Sequence, residues 1–231
     1  MSQFHLVDLL TPEECLVTIK TLDRLSSHWT PRISGIPFFT MGTPSYIDGK
    51  SPRATYVSRV NEMNPLLSAH FAVLLSKVRS SLQDHLQEEL IDLPGASLPG
   101  FHIFGSHPSF TRPQASIHFD LQHMMVDWPS APARESVVSF TLPVALPTHG
   151  GGLNWWDIDY ENWFGLEEGK RQFLAETSEK HFLSYQTGRL VVHSGLLLHQ
   201  IAPARVIQPE DRRITLQGHA AKAGERYYWY W

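Results

Sequence analysis

His118 and Asp120 lie two residues apart in Ala115-Ser-Ile-His-Phe-Asp120. The run reads as a short strand. Successive strand side chains point to opposite faces, so His118 and Asp120 share one face and Phe119 takes the other. An imidazole and a carboxylate on one face are a chelating pair. A second His from elsewhere in the fold would complete the 2-His-1-carboxylate face that holds non-haem Fe(II) and leaves positions open for a co-substrate and O2. The spacing alone is weak evidence, because 13 His and 10 Asp in 231 residues produce His-x-Asp by chance about 0.6 times.

The elements that would position this pair can be read from periodicity. Thr11 as N-cap, Pro12 at the first helical position and Glu13 and Glu14 in the first turn precede Leu16, Ile19, Leu22 and Leu25 at helical spacing, which predicts one helix. Residues 29–60 are broken by proline and glycine and read as short strands and loops. A long helix is predicted over 64–90, with Leu67, Phe71, Leu74, Leu75, Val78, Leu82 and Leu86 on its apolar stripe. From Leu98 the period becomes two. Eight strands are predicted, over 98–104, 115–120, 136–146, 152–156, 180–185, 190–193, 199–206 and 213–218. The fold class expected is mainly β with supporting helices, in one domain over 1–231. Residues 1–95 would be helical support and edge strands, and 96–220 a closed barrel or jelly roll with a charged, aromatic insert over 157–179.

Composition narrows the function classes. The net charge of −4 gives no electrostatic reason to expect nucleic acid or an anionic membrane as partner. No apolar run reaches the ~18 residues that span a bilayer, and the first ten residues lack the pattern of a signal peptide. The lone Cys15 has no partner for an internal disulfide. A cytoplasmic protein acting on a small molecule is expected, with oligomeric state open.

A second histidine and an arginine follow in order. His199 opens the strand after a Ser194-Gly195 turn, and fourteen residues later comes Arg213-Ile-Thr-Leu-Gln217. Arg213, Thr215 and Gln217 share one strand face, an arrangement that suits a carboxylate because a guanidinium binds it through two parallel hydrogen bonds. Arg212 would take that place if the strand slipped by one residue. His102 and Gln114 are further candidates to face the interior, and His118, Asp120 and His199 are the candidate catalytic metal ligands. Gln122, Trp155 and Trp156 are candidate substrate contacts. The aromatics of 155–164 have two readings, packing or a lid over substrate. The Gly150-Gly-Gly152 run lacks the residues of a phosphate loop and reads as a turn.

Taken in order, His118-x-Asp120, Gly150-Gly-Gly-Leu-Asn-Trp155, the Gly188-led strand, His199 and Arg213-x-Thr215 resemble the Fe(II)/2-oxoglutarate-dependent oxygenases, in the style of their prolyl-hydroxylase-like and small-molecule branches. The resemblance covers about residues 98–218 and implies a double-stranded β-helix, a cupin-like jelly roll. It also implies Fe(II) on His118, Asp120 and His199, and 2-oxoglutarate paired with Arg213, assisted by Thr215 and with His102 beside it. O2 would be the third reactant, and the reaction would hydroxylate an unactivated C–H of an amino acid, short peptide or other metabolite, releasing succinate and CO2. His193 stands where such sequences commonly carry an aromatic residue, as either a hydrogen-bonding neighbour or a competing ligand. Two alternatives stay open: a cupin-like metal enzyme that does not use 2-oxoglutarate, and a metal-free β-barrel binding module.

Overall fold

The computed structural model describes residues 3–231; Met1 and Ser2 of the expected 1–231 domain lie outside the described residues. The first elements are β1 (Phe4–Asp8), α1 (Pro12–Arg24), β2 (Thr30–Ile33), β3 (Ile36–Met41), α2 (Ser45–Asp48), α3 (Arg53–Leu86), β4 (Leu90–Asp92), β5 (Gly100–Phe104) and β6 (Val138–Ala145). Then follow β7 (His149–Trp156), α4 (Tyr160–Phe164), α5 (Glu168–Thr177), β8 (Lys180–Ser184), β9 (Arg189–Ser194), β10 (Leu198–Val206), β11 (Arg213–Ala223) and β12 (Arg226–Tyr230).

Helix α1 begins as its sequence dictates. The Glu14 amide donates to Thr11 Oγ1 and the Thr11 amide to Glu14 Oε2, a reciprocal capping box. Helix α3 differs from expectation. It starts at Arg53, eleven residues before the predicted start, and runs through Pro65 with one non-helical residue, Phe71. Thr55, Tyr56 and Val57 favour strands locally, but burial of Tyr56, Val60 and Met63 against the body outweighs that preference.

The strands form two sheets. The larger has the order β1-β9-β6-β11-β5-β3-β2, with β12 paired to β11 and to β4; the smaller has the order β10-β7-β8. Period-two alternation sorts the side chains of the large sheet. Phe101, Ile103, Phe140, Leu142, Val192, Ile214 and Leu216 pack with α1 and α3 in the main core. Their alternates His102, Ser139, Thr141, His193, Gln217 and His219 face the small sheet across a cavity. The molecule is thus a β-sandwich backed by helices on one side, mostly β and largely antiparallel.

Seven of the eight strands predicted from Leu98 onward form. The eighth, 115–120, does not become a strand: it makes a single bridge, His118 to His199. Its backbone leaves β10 after that pair, because the Asp120 amide turns to donate to the Gly195 carbonyl at 2.9 Å. Three further strands, β1, β4 and β12, lie outside the predicted set, β4 where the long helix was expected to end.

Candidate metal centre

Two pieces of backbone bring the predicted ligands together. The His118 and His199 amides each donate to the other's carbonyl at 2.9 Å, so both imidazoles leave adjacent backbone, with ring centroids 4.5 Å apart. Asp120 is anchored through the turn after β9. A Cβ at Gly195 would lie 2.5 Å from Val137 Cγ1, so glycine is what lets that turn approach.

The donor atoms converge. Asp120 Oδ1 is 3.7 Å from His118 Nε2 and Oδ2 is 3.6 Å from His199 Nε2, and one ligand atom from each of the three residues lies within 4.8 Å of the others. A metal–imidazole bond is about 2.1 Å, which puts donors on one ion roughly 3 to 4 Å apart, so a small contraction closes the set. Each Nδ1–H donates to a backbone carbonyl, His118 to Ser116 at 2.7 Å and His199 to Leu197 at 2.8 Å. A carbonyl only accepts, so the proton sits on Nδ1 and each Nε2 keeps its lone pair for an ion. Gln122 Nε2 donates to Asp120 Oδ1 at 3.1 Å and holds the carboxylate in turn. Burial alone would raise the Asp120 pKa, but the imidazoles of His199, His219, His118 and His193 outweigh it and hold the carboxyl well below the usual range. Burial also pushes His199 down to about 3, against the pull of Asp120, leaving it neutral and able to ligate. Two imidazoles and a carboxylate, with the rest of the cavity open in front of them, suit a divalent transition metal.

The cavity beside these residues measures about 440 Å³ and is walled by Tyr46, His102, Thr141, Tyr185 and Gln217, among others, with Leu121, Gln122 and Met125 where residues 121–125 cross it. His193 lines it too, its ring 5.0 Å from that of His199 and its Nδ1–H on the Ser194 carbonyl, but it is outside the convergent ligand set. Gln122 is where it was expected. Trp155 and Trp156 are not among the cavity walls. Trp155 stacks on His181 at 4.2 Å, and Trp156 is buried with its Nε1–H on the Ala175 carbonyl, so both pack rather than contact a ligand. Gln114 is exposed and donates to the Ser109 and Arg112 carbonyls.

The two arginines separate cleanly. Arg212 faces α1 and pairs with Asp23 at 2.7 Å. Arg213 turns inward, donates to the Ala202 and Gly152 carbonyls at 3.0 and 3.3 Å, and lies 5.5 Å from the Tyr185 ring centroid. It borders a smaller pocket of about 40 Å³ beside Ile201 rather than the main cavity wall. Thr215 is fully buried and its hydroxyl has no hydrogen-bond partner among the described residues. Its ladder neighbour His102 lines the cavity.

Comparison with solved structures fits this geometry. The chain is similar to an N-substituted L-amino acid dioxygenase from Burkholderia ambifaria AMMD in complex with alpha-KG, at TM-score 0.58 and 14% identity over 99% of this chain and 86% of that one. It is similar to SnoN, a non-heme alpha ketoglutarate dependent epimerase from nogalamycin biosynthesis, at TM-score 0.55 and 10% identity over 95% and 80%. HygX from Streptomyces hygroscopicus, solved with nickel, 2-oxoglutarate and hygromycin B bound, matches at TM-score 0.53 and 11% identity over 94% and 82%. The chain has the fold of the Fe(II)/2-oxoglutarate-dependent oxygenases. No protein-family model matches the sequence, and no curated protein matches it.

Within this oxygenase fold the 157–179 insert lies behind the ligands. Tyr160, Trp163 and Phe164 surround the Phe119 ring, with centroids 5.5, 6.3 and 6.0 Å away. Trp163, Leu198 and Phe119 share one small core. The insert therefore presses the ligand segment against the sandwich. Tyr46, Ser139 and His219 are cavity residues that sequence reasoning missed. Ser139 and His219 had a signal, since they continue the polar alternation of β6 and β11; Tyr46, in a Pro/Gly-broken region, had none.

Proposed function

We propose that this chain is an Fe(II)- and 2-oxoglutarate-dependent oxygenase that hydroxylates an unactivated C–H bond of a small molecule, releasing succinate and CO2. The observation that carries the reading is the convergence of His118 Nε2, His199 Nε2 and the Asp120 carboxylate, with both tautomers set by backbone carbonyls. The chain path supports a double-stranded β-helix: β5 lies in the large sheet, the 115–120 segment beside the small one, β6 in the large, β7 and β8 in the small, then β9, β10 and β11 alternate. The metal and 2-oxoglutarate named for the similar structures support the same pair here.

Iron bound with 2-oxoglutarate and O2 would supply the oxidant. The protein's part is positional. His118, Asp120 and His199 would hold the metal, and Gln122 would keep the Asp120 carboxylate turned toward it. Arg213, Thr215 and His102 would receive the far carboxylate of 2-oxoglutarate. Leu121, Met125 and Ile201 offer an apolar wall that holds a small substrate and excludes water. Among the described residues that line the cavity there is no Lys or Arg, which favours a substrate presenting an uncharged segment to the metal. A second reading, a cupin-like metal enzyme that does not use 2-oxoglutarate, is favoured by one observation: Arg213 already donates to two carbonyls and stands outside the main cavity wall.

An anaerobic titration separates the two. Metal-free protein loaded with Fe(II) should develop a weak visible charge-transfer band only when 2-oxoglutarate is added. The band should be absent in His199→Ala and should need at least about tenfold more co-substrate in Arg213→Ala. Iron binding without a band would put the cupin-like reading ahead, and absence of metal binding would refute both.

A further inference from the structure

Three side chains on neighbouring strands of the large sheet form a polar row outside the convergent ligand set. Ser139 of β6 pairs with His193 of β9, and Phe140 pairs with Gly218 of β11, which sets His219 beside Ser139. All three are at most 7% exposed, and all three line the main cavity. The row stands next to the metal ligands, with the His193 ring 5.0 Å from that of His199 and the Asp120 carboxylate acting on both His193 and His219. Adjacent strands are about 4.8 Å apart, so the two imidazoles leave backbone positions roughly 10 Å apart with one hydroxyl between them.

The free edges of the two rings meet the cavity. His193 gives its Nδ1–H to the Ser194 carbonyl at 2.8 Å, and His219 Nδ1 is hydrogen-bonded to Ser139 Oγ at 3.0 Å. Neither Nε2 has a hydrogen-bond partner among the described residues, and neither is sealed from the cavity. Polar atoms in a buried wall are almost always satisfied, so two nitrogens open to one cavity mark where the polar groups of a ligand belong.

What each nitrogen offers follows from its neighbour. A carbonyl only accepts, so His193 keeps its proton on Nδ1 and its Nε2 presents a lone pair. A hydroxyl donates or accepts, so His219 can present either a lone pair or an N–H at Nε2. Burial pushes both imidazoles below their ordinary pKa and leaves them uncharged. An anion placed here would meet the His193 lone pair and the Asp120 carboxylate, with no Lys or Arg among the described lining residues to hold it. A hydroxyl or amine meets a fixed acceptor at one end of the row and an adaptable partner at the other.

We propose that His193, Ser139 and His219 form a substrate-anchoring subsite, and that the substrate held there beside the metal is an uncharged or cationic molecule bearing hydroxyl or amine groups. The inference rests on the oxygenase reading above and narrows its substrate class. His193 accepts from one such group and, because its ring neighbours that of His199, keeps that group close to the ion. His219 takes a second, its ring held by the Ser139 hydroxyl. Leu153 and Ile201, in the same lining, offer apolar contact to the carbon skeleton.

Protein loaded with Zn(II) and 2-oxoglutarate tests this without turnover. Long-range 1H–15N NMR, with the rings assigned by through-bond correlation to their Cβ atoms, should show His193 protonated at Nδ1 and bare at Nε2. Ethanolamine in excess should move the Nε2 signals of His193 and His219, while propionate and inorganic phosphate should leave both in place. In Ser139→Ala, with Zn(II) still bound, the His219 signal should need about fivefold more ethanolamine for the same shift. A protonated His193 Nε2 in wild type would overturn the proposal, and so would signals that follow the anions instead of ethanolamine or that respond to none of the three. An unchanged ethanolamine requirement in Ser139→Ala would overturn the part given to Ser139. The oxygenase reading fails separately, by iron binding without a charge-transfer band in the anaerobic titration.

Discussion

A carboxylate 6% exposed among four imidazoles is costly to build unless something uses it, and Asp120 is held ionised by those rings despite its burial. Gln122 fixes which way it faces. Removing that amide in Gln122→Ala should weaken Ni(II) or Fe(II) binding by about tenfold, the effect typical of groups that orient a metal ligand, while Asp120→Ala should abolish measurable binding. Isothermal titration of metal-free protein checks both, and equal affinity in Gln122→Ala and wild type would contradict the orienting role. At this scale much was legible in advance. His118, Asp120 and His199, which the fold brings together, stand out by residue type and order, and alternation along β11 puts Arg213 rather than Arg212 on the inward face. Tyr46 was not legible as a cavity residue, because its partner there, His102, lies fifty-six residues away on another element.

The ligand segment is held in extended form by one backbone bridge to β10, one amide on the Gly195 carbonyl and the packing of Phe119 against the insert. Periodicity found the face pattern of 115–120 but not its lack of ladder pairing, since a single bridge and a full strand leave the same alternation in sequence. The aromatic insert offered two readings, and packing is the one its contacts fit: Trp163 and Trp156 are buried with Phe119 and Leu198. Phe119→Ala should therefore cost about 3 kcal/mol of stability and also weaken metal binding, although the ring touches no ion. Urea denaturation and metal titration on the same sample read the two effects; a loss of stability with metal affinity unchanged would mean that the insert does not set the ligand geometry. Helix α3 shows the opposite limit. Its first turns carry the strand-favouring Thr55, Tyr56 and Val57, and they are helical where the body buries Tyr56 and Val60.

Across the whole molecule, the sandwich keeps a row of histidines neutral between its sheets. His102 titrates at about 3 and His219 at about 4, each driven down first by burial, against 6.5 for an exposed imidazole. A depressed histidine pKa means that the unfolded chain takes up the proton first as the pH falls. The stability contributed by the neutral His102 ring is therefore whole above about pH 6.5 and is lost progressively toward pH 3, at no more than about 1.4 kcal/mol per unit. Metal-free wild type should lose stability steeply between pH 7 and pH 5 in urea titrations, and His102→Phe should lose less over the same interval; parallel curves would contradict the assignment. Where the metal sits is read from diffraction. Crystals loaded with Ni(II) and 2-oxoglutarate, measured at the nickel absorption edge, should give one strong anomalous peak about 2.1 Å from His118 Nε2, His199 Nε2 and an Asp120 carboxylate oxygen. A peak ligated instead by His193 or His219, or no peak in this cavity, would contradict the account.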